Sequence, residues 1–126
     1  MDGLFMQFDQ TAYVGKNYFT HYGDGYVVVN QTRYDNALIV SANHIEAWPV
    51  QAFDDLNTEH FTILIPYAPQ IILFGSGHTL RFVHQSITSE VTKLGIGFET
   101  MDTKAACRTF NLLNQAERKV LIVLLP

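Results

Sequence analysis

Two uninterrupted apolar runs, "QIILF" at residues 70–74 and "KVLIVLLP" at 119–126, constrain this chain more than any other feature. A strand with one face in water alternates apolar and polar residues; a strand apolar at nearly every position is covered on both faces. Between the runs, "SITSEVTKL" (86–94) places Ile87, Val91 and Leu94 on one helical face, with Ser86 as N-cap and Gly95 as terminator. "GFETM" (97–101) reads as a strand and "DTKAACRTFNLLNQA" (102–116) as the clearest helix. Strand, helix, strand, helix, strand specifies an α/β sheet with helices packed on it.

The first half reads as short antiparallel strands. "NYFTHY" and "YVVVN" flank Gly23-Asp24-Gly25, whose glycines accept positive φ, so a hairpin is expected. "NALIVS" and "HIEAW" form a second strand pair around Ala42-Asn43, and Pro49 ends that pattern. "DDLNTEHFTILI" holds a short helix capped at Asn57 or Thr58, although its β-branched residues weaken it. At 126 residues, without linker, repeat or low-complexity segment, residues 1–126 are expected to form one domain.

Charge excludes several function classes. The net charge of −4 is wrong for a nucleic-acid binder, which needs a basic face against phosphates. The acids gather in residues 1–66 and the bases in 67–126, making the second half the better place for an anion. No apolar segment reaches the roughly 20 residues that span a bilayer. "MDGLFMQFDQ" lacks the character of a signal peptide, and the lone Cys107 fits a reducing compartment; both readings point to the cytoplasm.

On the helix from Asp102, steps of about 100° put Ala106, Phe110 and Leu113 in one sector. Lys104, Arg108, Asn111 and Gln115 fall on roughly the opposite side, with Cys107 on the flank; Lys104 and Arg108 read most simply as a solvated face. Asp102 or Thr103 can cap the first turn.

"FGSGHTLRF" after the first apolar run raises the question of a phosphate loop. A dinucleotide fingerprint needs a third glycine where Leu80 stands and a helix opening directly behind it. "LRFV" is instead strand-like, and no P-loop pattern is present, so the glycines read as a strand-terminating bend. If "QIILF" and "GFETM" are parallel neighbours, however, Gly75-Ser76-Gly77 and Asp102-Thr103 leave the sheet at one edge. Backbone N–H groups there, with Arg81 or Arg108, could hold a small anion, provided Asp102 is occupied as a cap.

The five histidines, His21, His44, His60, His78 and His84, form no metal-binding spacing and read as surface or hairpin residues. Cys107 near the start of its helix could be an activated thiol, but a single cysteine on a helix flank is more simply a small core residue. Trp48 reads as a packing anchor.

The stretch "GIGFETMDTKAACRTFNLL", with "IILFGSGHTLRF" and "GDGYVVVNQTRYDNALIV…IEAW" before it, resembles the Mth938-like family of small domains of unknown function. Members of that family include an assembly factor of mitochondrial respiratory complex I. The resemblance runs from about residue 17 to 125. It implies a three-layer domain with a mixed central sheet, helices packed on it and a smaller antiparallel β layer, and no established activity or cofactor. The family's motif positions fall on Gly75, Gly77, Asp102, Thr103, Cys107, Arg108, Thr109 and Asn111. Phe110 stands where the bacterial pattern often has tyrosine. The mitochondrial members carry a leader that "MDGLFMQFDQ" does not resemble, which suits a free-standing bacterial form.

The expectation is therefore a non-catalytic interaction or accessory factor that docks on another protein. The alternative is a small-molecule or anion binder, enzymatic or not, using a cleft lined by Gly75, Ser76, Gly77, Arg81, Asp102, Thr103, Cys107, Arg108 and Asn111. Neither reading calls for a metal or a cofactor.

Overall fold

The computed structural model describes residues 3–5, as a strand, and 15–126. The leader reading of residues 1–10 falls largely outside them. In chain order the elements are β1 (Gly3–Phe5), β2 (Phe19–Gly23), β3 (Tyr26–Val29), β4 (Thr32–Tyr34), β5 (Leu38–Val40) and β6 (Ile45–Ala47). There follow α1 (Thr58–Thr62), β7 (Ile71–Gly75), α2 (Gln85–Thr92), β8 (Gly97–Met101), α3 (Thr103–Gln115) and β9 (Val120–Leu124). Strands β1-β2-β3-β4 form an antiparallel sheet, and β6-β5-β9-β7-β8 form a second sheet of five. The larger sheet is mixed: β7 runs parallel to β8 and β9, whereas β5 is antiparallel to β9 and β6.

The two apolar runs are the inner strands of that sheet, and alternate residues feed two separate cores. Leu38, Val40, Leu73, Ile122 and Leu124 pack with Ala106, Cys107 and Phe110 of α3 and with Phe19, Tyr22, Val27 and Val29 of the smaller sheet. Ile39, Ile72, Phe74, Leu121 and Val123 face the other way, against Trp48, Phe61, Leu64 and Val91. Both faces are thus dry, which is why neither run alternates. The three layers are α1 with α2, the mixed sheet, and α3 beside the antiparallel sheet.

Local chemistry sets the element ends. Asn57 caps α1 by accepting from Glu59 N at 2.9 Å, and its own N–H donates to His60 Nδ1 at 3.1 Å. With Nδ1 an acceptor, His60 Nε2 carries the proton and donates to Pro49 O at 3.0 Å. Trp48 is the anchor expected of it: it is buried, its indole N–H donates to His60 O at 3.0 Å, and its ring meets Phe61 and Phe74 edge-on. The α3 helix ends with Glu117 in the left-handed region (φ 60°) and Arg118 N bonded to Leu113 O, a closure that usually employs glycine.

Three expectations need correction. The N-cap of α2 is His84, not Ser86; its Nδ1 accepts from Ser86 N, and Ser86 sits inside the helix. Because α2 stops at Thr92, Leu94 lies past the helix and is exposed instead of continuing its apolar face. "LRFV" forms no strand but an irregular segment. Asn111, in the polar sector opposite the apolar face of α3, is buried. The smaller sheet lies along that flank of α3, and Asn111 hydrogen-bonds both backbone groups of Phe19. Strands β1 and β4 were not anticipated, and Gly23 belongs to β2, leaving Asp24-Gly25 as the turn, with Gly25 at φ 77°.

Candidate functional site

Gly75 pairs with Met101 on one side and Leu124 on the other, so the Gly75–Gly77 bend and the start of α3 leave the sheet at the same rim. Their polar groups join one another. Ser76 N donates to Met101 O (2.9 Å), Thr103 N to Gly77 O (2.9 Å) and Leu125 N to Gly75 O (2.9 Å). The Thr103 hydroxyl closes the ring: Oγ1 accepts from Gly77 N at 2.9 Å and donates to Leu125 O at 2.6 Å. Asp102 is occupied as a cap, accepting from Ala105 N at 2.9 Å.

That closure decides what the rim can do. The backbone donors that an anion would need here, at Ser76, Gly77, Thr103 and Ala105, already have partners inside the protein. The space between Gly77 and Thr103–Lys104 is about 20 Å³, room for a single water. Gly75 is packed so tightly that a Cβ there would lie 3.1 Å from Thr103 Oγ1 and from Leu124 Cβ. Gly77 has open space around it but a φ of 103°, which is why glycine serves there.

The open cleft, about 1000 Å³, lies on the outer side of the glycine bend. Its walls are Ser76–Thr79 and Arg81 on one side and the Asp35–Ala37 and Trp48–Phe53 loops on the other. Ser76 holds the bend in shape: its hydroxyl donates to Thr79 O at 2.8 Å and accepts from Arg81 N at 3.0 Å. The Arg81 guanidinium lies over the Phe53 ring, 4.2 Å from its centroid, a cation–π stack that fixes its direction. His78 and Asp24 face each other at 3.8 Å on the exposed lip. Leu80 and Phe82, 48% and 71% exposed, stand on either side of Arg81 in sequence.

The nine residues singled out from the sequence occupy several settings. Ser76, Gly77 and Arg81 line the cleft. Gly75, Asp102 and Thr103 build the closed rim. Cys107 and Asn111 lie in the core, and Arg108 is exposed on α3 away from the cleft wall. The Cys107 thiol is pushed well above its ordinary value of 9.0 by burial and, secondarily, by the Asp102 carboxylate, so it stays protonated near neutrality. Sequence reasoning missed the 35–37 and 48–53 wall; the Trp48-Pro49 break, which ends β6 and turns the chain, is the signal that marks it. Among the described residues, no three His, Cys, Asp or Glu side chains gather closely enough to hold a metal ion. No helix among them is long and apolar enough to cross a membrane.

A mixed five-stranded sheet with a locked glycine–threonine rim and an antiparallel layer beside α3 defines an α/β domain of the Mth938-like type. The chain belongs to the family described as "Protein of unknown function (DUF498/DUF598)", whose model matches residues 19–125. A crystal structure of a Bordetella parapertussis protein is similar with a TM-score of 0.84 at 34% identity, over 89% of this chain and 97% of that one. A solution structure from Bordetella pertussis, described as a Mth938-like domain, matches with a TM-score of 0.77 at 28% identity, over 98% and 92% of the two chains. Among curated relatives, a "13 kDa major membrane protein" of Francisella tularensis is 26% identical over 86% of this chain and 89% of its own length. NADH dehydrogenase [ubiquinone] 1 alpha subcomplex assembly factor 3 of Danio rerio is 32% identical over 63% of this chain. The chain spans 47% of that relative, about half its length.

Proposed function

We propose that this protein is a non-catalytic accessory factor that docks on another protein through the Leu80–Phe82 segment beside the cleft. The observation that carries the reading is the exposure of Leu80 and Phe82 on either side of Arg81, whose N–H is bonded to Ser76 Oγ and whose guanidinium lies over Phe53. Large apolar side chains presented on a fixed loop lose little freedom on binding and are the kind of anchor interfaces use. The relatives named as assembly factors of NADH dehydrogenase support an accessory role of this kind, and an apolar groove on a protein partner is the surface that two such side chains fit. We place that role in the cytoplasm, where a single unpaired cysteine is at home.

The test is a photo-reactive phenylalanine analogue at position 82, with position 108 as the surface control, irradiated in the cells that make the protein. A discrete adduct with one protein species, formed from position 82 alone, is expected. Adducts indistinguishable between the two positions would remove the proposal.

A second reading, a small-molecule site in the cleft, is favoured by Arg81. Its guanidinium has no carboxylate partner among the described residues and is held by Phe53 on the cleft wall. A thermal-shift screen of carboxylates and phosphates, repeated on Arg81→Ala, tests it: stabilisation lost in the variant supports the site, and stabilisation retained rejects it.

A further inference from the structure

At the opposite end of the mixed sheet, where β7 and β9 begin, a second cavity of about 510 Å³ lies between the β5–β6 turn and the segment joining α3 to β9. Its walls include Asn43, His44, Tyr67, Pro69, Arg118 and Lys119, and no acidic side chain is among its lining residues. The volume falls within the range of small-ligand sites, roughly 300–1000 Å³.

Arg118 and Lys119 are consecutive in the chain, both line the cavity, and the backbone of each is held. Gln70 grips Lys119 from both directions: Gln70 N donates to Lys119 O at 2.8 Å, and Lys119 N donates to Gln70 Oε1 at 3.1 Å. Arg118 is held by its N–H bond to Leu113 O and by the left-handed turn at Glu117. Across the cavity, Asn17 secures the β5–β6 turn. Its side-chain N–H groups donate to Ser41 O (3.0 Å) and His44 O (3.2 Å), and its backbone N–H donates to Ala42 O (2.6 Å). Ser41 Oγ donates to Asn43 Oδ1 at 3.4 Å.

Neither the Arg118 nor the Lys119 side chain has an ion-pair or hydrogen-bond partner among the described residues. Two carboxylates stand nearby without pairing with either cation: Glu46 lies 3.7 Å from Nε2 of the wall residue His44, and Glu117 lies 4.0 Å from Lys16. Two adjacent unpaired cations repel each other, and one oxyanion between them relieves that repulsion while accepting from both. Beside them, Tyr67 packs against the His44 ring, centroids 5.7 Å apart, and with Pro69 offers an apolar wall.

We propose that this cavity is a binding site for a small organic oxyanion, a phosphate ester or carboxylate held by Arg118 and Lys119, with its organic part against Tyr67 and Pro69. The site is independent of the docking segment and of the Arg81 cleft, which lie at the other end of the sheet.

Amide resonances of the full chain, titrated in parallel with AMP, pyrophosphate and uncharged adenosine, provide the test. Saturable shifts confined to residues 41–44 and 118–121 are expected from AMP or pyrophosphate, with a Kd on the order of 0.1–1 mM, and none from adenosine at the same concentrations. The double variant R118A/K119A, at two exposed positions and with an unchanged melting temperature, is expected to bind about tenfold more weakly or worse, and Arg81→Ala to bind like the parent. If neither anion shifts these amides, if adenosine matches AMP, or if R118A/K119A binds like the parent, the assignment is overturned. Shifts centred on Ser76–Arg81 would overturn it as well.

Discussion

The side chain of Asn111 on α3 takes both backbone polar groups of Phe19 on β2: its Oδ1 accepts from Phe19 N at 2.9 Å and its Nδ2 donates to Phe19 O at 2.8 Å. One amide side chain thus does for Phe19 what a neighbouring strand would do, across 92 residues of sequence. It acts where β2 departs from regular pairing with β3, between Phe19 and His21. Phe110, one residue earlier on α3, meets the Phe19 ring edge-on at 5.5 Å, so the helix grips the same residue by backbone and by ring.

Replacing Asn111 by Ala or Leu leaves a buried N–H and a buried C=O without partners. Each substitution is expected to destabilise the fold by about 2–4 kcal/mol in urea denaturation. Leu restores the lost volume, so its failure to restore stability would assign the effect to hydrogen bonding.

Thr103 permits a cleaner separation. Thr103→Val keeps the shape but removes the hydroxyl that joins Gly77 N to Leu125 O, whereas Thr103→Ser keeps the hydroxyl. A loss of about 2–4 kcal/mol is expected for Val and about 1 kcal/mol for Ser. Hydrogen exchange at the Gly77 amide should quicken in the Val variant alone.

The two rim glycines should both resist alanine, for different reasons. In Gly75→Ala the new Cβ meets Thr103 Oγ1 and Leu124 Cβ at 3.1 Å, and a cost of about 1–3 kcal/mol is expected from overpacking. In Gly77→Ala nothing is crowded, and about 1–2 kcal/mol arises from a backbone at φ 103°. Thr103→Ala removes the contacted Oγ1, so its cost and that of Gly75→Ala should combine to less than the sum of the two single losses.

Cys107 should be silent to Ellman's reagent in the native state and react at the rate of unfolding. Its raised pKa also fixes a sign. Above about pH 9 the unfolded chain gives up the thiol proton that the folded chain keeps, so stability falls as pH rises. The slope from this group approaches about 1.4 kcal/mol per pH unit, and Cys107→Ala, compared with the parent across pH 8–11, should lack it.

Phe82→Ser should leave the melting temperature essentially unchanged, since the ring is 71% exposed, yet abolish the cross-link made from a photo-reactive residue at position 80. A shifted melting temperature would place Phe82 in the fold instead of on a docking surface.

Much of the larger sheet was legible because its signals are local. The runs at 70–74 and 119–126, the Gly25 turn and the Asp102 cap each declare themselves within a few residues. The meeting of the glycine bend with the start of α3 also followed from reading β7 and β8 as parallel. What stayed hidden depends on partners distant in sequence. Asn111 looks solvated on a helical wheel, because a wheel assumes that one side of a helix faces water. Here the smaller sheet occupies that flank and turns a polar residue into a buried bracket. The cleft was likewise misplaced by one wall: a glycine bend shows where backbone donors emerge, but not that Thr103 has already taken them.

β9, the last of the described strands in sequence, sits in the interior of its sheet, with Leu38 aligned to Leu124 on one side and Gly75 on the other. Until residue 124 has cleared the ribosome, β5 and β7 have no common neighbour, and both apolar faces of the incomplete sheet lack their middle. The larger sheet therefore cannot be completed progressively from its earlier strands. That sheet closes only when β9 is available, and products stalled before residue 124 will be clients for chaperones and proteases.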